Sequence, residues 1–129
     1  MQSVNLVVAF EHPMGTPVPY NSSIMCVAER VSHMPGIKRG KDYHFHARKL
    51  LEAGALDVSF PQESSTAKIG GVDFDVMHIE ISMGGLTIRQ KQYAAIKKGY
   101  ALSLIVSSVT DEQKESLQKI LDSVTFKGK

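Results

Sequence analysis

The residues best suited to chemistry are two histidines separated by one position, His44 and His46. On a strand both rings would share a face and could chelate a metal ion. The surrounding pattern instead predicts a helix, on which such residues lie about 200° apart around the axis. We therefore expect one ring near the sheet and the other in solvent. A metal site would need His12, His33, His78 or a carboxylate to come close.

Acidic residues give two further candidate pairs. Asp73 and Asp75 share one face of a predicted strand, where paired carboxylates can hold a proton or a hard cation. A solvated strand face explains the same pattern. His78 and Glu80 lie together on the other face of that strand, but acid–base catalysis also needs a pocket and an oriented substrate.

Recognised catalytic and nucleotide-binding motifs are absent. The sequence has no G-x-S-x-G elbow, no G-x-G-x-x-G turn and no phosphate-binding P-loop. The glycine pairs 70–71 and 84–85 are typical of tight corners. We therefore expect neither an enzyme nor a cofactor.

A short basic cluster at the start of the first predicted helix is a candidate contact surface. Lys38, Arg39 and Lys41 could meet an acidic partner or a phosphate at the helix N-terminus, or they could form a solvated turn. A proline-rich loop from His12 to Tyr20 is the second candidate, because prolines reduce the entropy lost when a loop is ordered.

Composition narrows the class of protein. The chain has 129 residues, 43% of them hydrophobic and 22% charged, which fits one globular domain. A net charge of +2 with few aromatic residues argues against a nucleic-acid surface. No apolar run reaches the roughly 20 residues of a membrane span. Cys26 lies in an apolar run and is expected to be a small buried hydrophobe.

Hydrophobic periodicity predicts the elements that must position these residues. Strands are predicted at 5–10 and 23–31, weaker pairing segments at 55–60 and 67–69, and a meander at 72–82, 86–96 and 100–107. Apolar residues change face between Val76 and Met77, which indicates either a β-bulge or a strand covered on both faces.

Two amphipathic helices complete the predicted fold, an α+β protein in which helices cover an antiparallel meander. The first spans 40–53, with an apolar face formed by Tyr43, Ala47, Leu50 and Leu51. The second begins at Thr110, which with Gln113 fits a capping box. Its apolar stripe consists of Leu117, Ile120, Leu121 and Val124.

Three consecutive parts of the sequence together resemble the PsbP/Mog-type superfamily. They are the glycine corner and strand at 69–82, the returning strands at 85–108 and the capped helix at 110–126. The strand at 23–31 and the helix at 40–54 are similar to the middle of the same fold, so the resemblance covers roughly 23–126. The superfamily includes PsbP of photosystem II, Mog-type proteins that bind the Ran GTPase, and DcrB-like and DUF1795-like envelope proteins. The resemblance implies an α/β/α sandwich and a role in binding or assembly, without a specific ligand. The front of the chain departs from the family, whose members often carry a tryptophan there.

Two functional hypotheses follow. The first is a non-enzymatic binding or assembly domain that contacts another protein through Lys38, Arg39, Lys41, His12 and Tyr20. The alternative is a small-ligand or metal-binding protein that uses His44, His46 and His78 with carboxylates. Under either hypothesis an open sheet edge could pair with a second copy of the chain.

Overall fold

The computed structural model describes residues 3–10, 23–32, 34, 36–54, 57–97 and 99–122, with only the backbone described for 3–10. The strands are β1 (Ser3–Phe10), β2 (Ser23–Arg30), β3 (Asp57–Ser59), β4 (Ser65–Ile69), β5 (Val72–Met83), β6 (Leu86–Lys97) and β7 (Tyr100–Ser108). The helices are α1 (Gly40–Ala53) and α2 (Asp111–Asp122). The elements predicted from the sequence are confirmed, and most of their bounds move by only one or two residues.

All pairings in the sheet are antiparallel, and the strand order is β1-β2-β7-β6-β5-β3. The two short strands β3 and β4 pair with different halves of the same edge of β5. Gly84, Gly85 and Gly99 adopt positive φ values of 57°, 82° and 80° in the turns that join β5, β6 and β7. A glycine meets no Cβ penalty there, so these turns close the predicted meander.

Strand β5 is covered on both faces. Val72, Phe74 and Val76 pack in the hydrophobic cluster beneath α2. Met77 and Ile79 belong to a second cluster on the opposite face, against Ala47 and Leu51 of α1 among others. The register with β6 runs without a shift from 75–94 to 83–86. The change of face predicted between Val76 and Met77 therefore comes from two-sided coverage, and the bulge interpretation is wrong.

Helix α2 closes one face of the sheet. Leu117 and Leu121 are both 2% exposed within the first cluster. The predicted cap is confirmed, since the Gln113 amide donates to Thr110 Oγ1 at 3.1 Å and Gln113 Oε1 accepts from the Thr110 amide at 3.3 Å. The predicted stripe is too wide, because Ile120 is 47% exposed. Val124 lies outside the described residues.

Helix α1 covers the other face through a narrower contact than its sequence predicts. Leu50, placed on the apolar face by its spacing, is 74% exposed, whereas His44 is only 3% exposed. The helix approaches the sheet along Gly40, His44, Ala47 and Leu51, which rotates Leu50 toward solvent. The Tyr43 hydroxyl also donates to Glu29 Oε1 on β2 and ties the helix to a second strand.

Three sequence predictions remain, on Cys26, on the proline-rich loop and on membrane spans. Cys26 is buried in the cluster beneath α2, as expected, and burial raises the pKa of its thiol. The loop from His12 to Tyr20 lies outside the described residues. Neither α1 nor α2 is long and apolar enough to cross a membrane.

Candidate functional site

The basic turn before α1 has a fixed backbone. The amides of Lys38 and Arg39 donate to the same carboxylate oxygen, Asp42 Oδ2, at 3.0 and 3.1 Å. These two hydrogen bonds, assisted by the positive charges beside them, hold the pKa of Asp42 below its ordinary value. A carboxylate in the first turn also interacts favourably with the helix dipole.

A second set of contacts seats this turn against the sheet. The Lys41 amide donates to Asp75 Oδ2 at 3.0 Å, so a carboxylate on β5 caps α1. A Cβ added to Gly40 would overlap the Ala94 carbonyl oxygen and lie 2.9 Å from Asp75 Oδ2. Glycine is therefore required for the close approach of α1 to the sheet.

These bonds bear on how the turn could bind an anion. The amides of Lys38, Arg39 and Lys41 already donate to carboxylates, so these three donors are not available to a phosphate at the helix N-terminus. The side chains of these three residues are therefore the groups that can contact an acidic partner. The carboxylates predicted as a pair have separate roles, since Asp75 caps α1 while Asp73 lies 3.9 Å from the ammonium of Lys68.

The side chains of Lys38, Arg39 and Lys41 are exposed, and within the described part of the chain no carboxylate lies within ion-pair distance of them. Lys97 at the end of β6 joins Lys38 and Arg39 around a cavity of about 240 Å³ at this end of the sheet, which Asp73 and Asp75 also line. Lys97 was visible in the sequence as a turn residue, but nothing local to it indicates that α1 begins nearby.

The structure does not bring the three candidate metal-binding histidines together. His44 faces the sheet beneath α1, His46 is exposed on the same helix, and His78 lies on the sheet face that α2 covers. His44 and His78 are thus separated by the sheet. Across the described ranges, no three His, Cys, Asp or Glu side chains form a group that could hold a metal ion.

His44 is unusual because neither ring nitrogen has a hydrogen-bond partner. Burial lowers its pKa to about 4, although the charge of Asp75 and the Gln92 backbone, which lies near the ring without meeting hydrogen-bond geometry, oppose part of this effect. The ring is therefore neutral at pH 7, and its position between α1 and the sheet is that of a packing residue.

Comparison with known proteins gives the fold. No protein-family model matches the sequence, and no curated protein matches it either. A Pseudomonas aeruginosa protein of unknown function, PA94, described as a putative regulator, superposes with a TM-score of 0.69 at 10% identity, covering 100% of this chain and 87% of that one. Cyanobacterial PsbP (CyanoP) from Synechocystis sp. PCC 6803 superposes with a TM-score of 0.54 at 8% identity, covering 91% and 78%.

The chain therefore has a PsbP-like α+β fold. Identities of 8–10% support the shared architecture and carry no ligand, partner or reaction to this chain. The α+β fold that the sequence resemblance implied is therefore confirmed.

Proposed function

We propose that the protein is a non-enzymatic binding domain that contacts an acidic surface of a protein partner through the basic turn of Lys38, Arg39 and Lys41, together with Lys97. Membership of the wider PsbP/Mog-type superfamily, with its DcrB-like and DUF1795-like members, is part of the same proposal. The observation that carries it is a set of exposed cations, none within ion-pair distance of a carboxylate in the described chain, on a backbone fixed by Asp42 and Asp75.

The fixed backbone matters because a preorganised surface loses less conformational entropy on binding than a mobile one. Complementary charge increases the rate of encounter and selects the partner, while adding less to affinity than buried apolar contacts do. The loop residues His12 and Tyr20 belong to the proposed surface as sequence predictions.

A charge-reversal experiment tests this placement. The double variant Lys38→Glu/Arg39→Glu and the wild-type chain are immobilised, and partners from host extract are retained, identified by mass spectrometry and then titrated as purified proteins. We expect the double variant to bind the identified partner at least about tenfold more weakly, equivalent to about 1.4 kcal/mol. Binding to the wild type should weaken with added salt, because exposed charges are screened.

A matched control separates the turn from total charge. Lys49→Glu/Lys119→Glu changes the net charge by the same amount at exposed positions on the two helices. A partner held equally by wild type and control but lost by Lys38→Glu/Arg39→Glu supports the proposal. Equal loss in both variants, or retention by both, contradicts the placement of the surface at this turn.

A further inference from the structure

A cleft runs along one side of α2, where the helix meets the sheet face opposite α1. It consists of two adjoining cavities of about 190 and 330 Å³. The lining residues common to both are His78, Lys91, Tyr93, Gln118 and Leu121. Small-molecule sites are typically concave regions of this kind, lined by apolar groups with a few polar ones.

Nitrogen-bearing side chains from three different elements line this cleft, and two of them are lysines. Lys91 on β6 is directly opposite His78 on β5, and Lys114 reaches the first cavity from α2. Burial lowers the pKa of Lys91, and the charge of Lys114 lowers it further. Burial also lowers the pKa of His78, and both lysines add to that effect. The fold thus holds two ammonium groups close enough to repel each other.

Nearby acidic groups do not neutralise these lysines. Asp111 pairs with Arg89 at 3.1 Å, and Asp122 accepts a hydrogen bond from Gln118 at 2.9 Å. Glu80 lines the same cleft, but neither Lys91 nor Lys114 lies within ion-pair distance of a carboxylate in the described part of the chain. Positive charges that are gathered in a concave site attract an anion.

The remaining walls determine which anion would fit. Ser65 Oγ on β4 lies 3.0 Å from His78 Nε2 and fixes the orientation of the imidazole. Tyr93, Val106 and Leu121 are only 4%, 7% and 2% exposed, and they form a narrow apolar floor beside the two lysines. A ligand with a charged head and a small apolar body would contact both kinds of wall.

We propose that this cleft binds a small organic oxyanion, a carboxylate or a phosphate ester, with its charged head between Lys91 and Lys114 and its apolar body against Tyr93, Val106 and Leu121. The cleft lies beneath α2, whereas the basic turn precedes α1. The two proposals therefore stand or fall independently.

Titration of the full chain with four probes tests the proposal. Phenyl phosphate and phenylacetate represent the two head groups, inorganic phosphate lacks the apolar body, and benzyl alcohol lacks the charge. We expect both aromatic anions to bind more tightly than either inorganic phosphate or benzyl alcohol. Calorimetry gives the affinities, and the tighter anion shows which head group the cleft prefers.

Substitutions then locate the site. Lys91→Gln and Lys114→Gln are each expected to weaken binding of the tighter anion at least about fivefold. Lys119→Gln removes the same charge from an exposed position on α2 and should leave the affinity unchanged. Three results would each overturn the proposal. They are no binding of either aromatic anion at millimolar concentration, the same affinity in Lys91→Gln as in the wild type, and an affinity for benzyl alcohol equal to that for the aromatic anions.

The His78 ring provides a second readout, which a nonspecific effect of charge on the chain would not produce. An anion in the cleft offsets the two lysine charges, so the pKa of His78, followed by NMR, should rise when the site is filled. The polar and charged groups that line the cavities around this ring include Ser65 and Lys68 on β4, Glu80 on its own strand, Arg89 and Lys91 on β6, and Lys114 and Asp122 on α2. An unchanged pKa in the presence of saturating anion would place the anion elsewhere.

Discussion

At the scale of single residues, His44 has the largest effect on how stability should depend on pH. Its ring is 3% exposed, neither nitrogen has a hydrogen-bond partner, and its pKa falls to about 4 because burial penalises the charged form. In the unfolded chain the pKa returns to about 6.5. Between these two values the unfolded state binds the proton and the folded state does not.

The sign of the pH dependence follows from this difference. The contribution of His44 to stability is fully present above pH 6.5 and is lost as the pH falls toward 4, by up to about 3 kcal/mol. We expect His44→Leu to remove this dependence. The variant should also be at least as stable as the wild type at pH 7, because it replaces an unsatisfied buried polar group.

Urea unfolding at several pH values between 7.5 and 4.5 measures the effect. The free energy of unfolding of His44→Leu minus that of the wild type should be constant above pH 6.5 and increase below it. Carboxylates titrate in the same range in both proteins and cancel in the difference. His46→Leu changes an exposed histidine on the same helix and is the control. Parallel profiles for His44→Leu and the wild type would show that His44 is not buried as a neutral ring.

At the scale of elements, the position of α1 depends on its first turn. Gly40 approaches the Ala94 backbone on β6, the Lys41 amide donates to Asp75 on β5, and Asp42 accepts from the two preceding amides. Much of the remainder of the helix is exposed, including Leu50. The start of α1 is therefore held by specific close contacts rather than by a broad apolar face.

Gly40→Ala tests this account. Alanine favours a helix over glycine by up to about 1 kcal/mol, but the new Cβ would overlap the Ala94 carbonyl oxygen. Because that oxygen belongs to a paired strand, α1 must shift, and we expect a net loss of about 1–3 kcal/mol in the free energy of unfolding. Gly36→Ala is the matched control, since its Cβ would meet nothing within 4 Å. Denaturant unfolding that gave equal stabilities for the two variants would contradict the close approach.

The distance along the chain between contacting residues explains which parts of the basic turn were predictable from the sequence. The cluster Lys38, Arg39 and Lys41 is consecutive apart from one glycine, so its position before a helix follows from local sequence. The anchor Asp75 is 34 positions away from the amide it accepts from, and Lys97 belongs to a different strand. Neither contact has a local signal, because each depends on how α1 docks on the sheet.

At the scale of the whole molecule, one sheet supports hydrophobic clusters on both of its faces. Strand β5 contributes Phe74 to the cluster beneath α2 and Ile79 to the cluster beneath α1. Loss of either cluster removes support from the same strand. We therefore expect the two faces to unfold together in one cooperative transition.

Substitutions on each face check this expectation. Leu121→Ala on α2 and Ile79→Ala on the α1 side of the sheet both truncate side chains that are at most 2% exposed, and each should cost about 2–5 kcal/mol. Hydrogen exchange followed by mass spectrometry at increasing urea should show both faces losing protection at the same concentration. Ile120→Ala, at a position 47% exposed, should cost much less. Within either variant, loss of protection at different urea concentrations in peptides from the α1 face and the α2 face would contradict a single cooperative unit.

The open edge of the sheet also belongs to this scale. Strand β1 pairs with β2 on one side, and no other strand in the described residues pairs with it. The register shifts between Asn5 and Val7, which indicates an irregularity of the bulge type. A bulge interrupts the regular hydrogen-bond ladder that a second copy of the chain would extend. Pairing of two chains through β1 stays a prediction, and the irregularity in β1 disfavours it.

The sequence by itself determined the order of elements, the meander and the start of α2. Alternation of side chains, the positive φ of Gly84 and Gly99, and the Thr110–Gln113 cap all act between residues close in the chain. Each of these signals depends on residues within a few positions of one another. The elements could therefore be located before any tertiary contact was known.

Only the tertiary structure decided which side chains meet. It buried His44 and exposed Leu50, because a close helix approach rather than average hydrophobicity set the rotation of α1. It also gathered His78, Lys91 and Lys114 from three elements in one cleft. The positions of these groups depend on strand register and on how each helix packs, and both are set by contacts between segments that are distant in sequence.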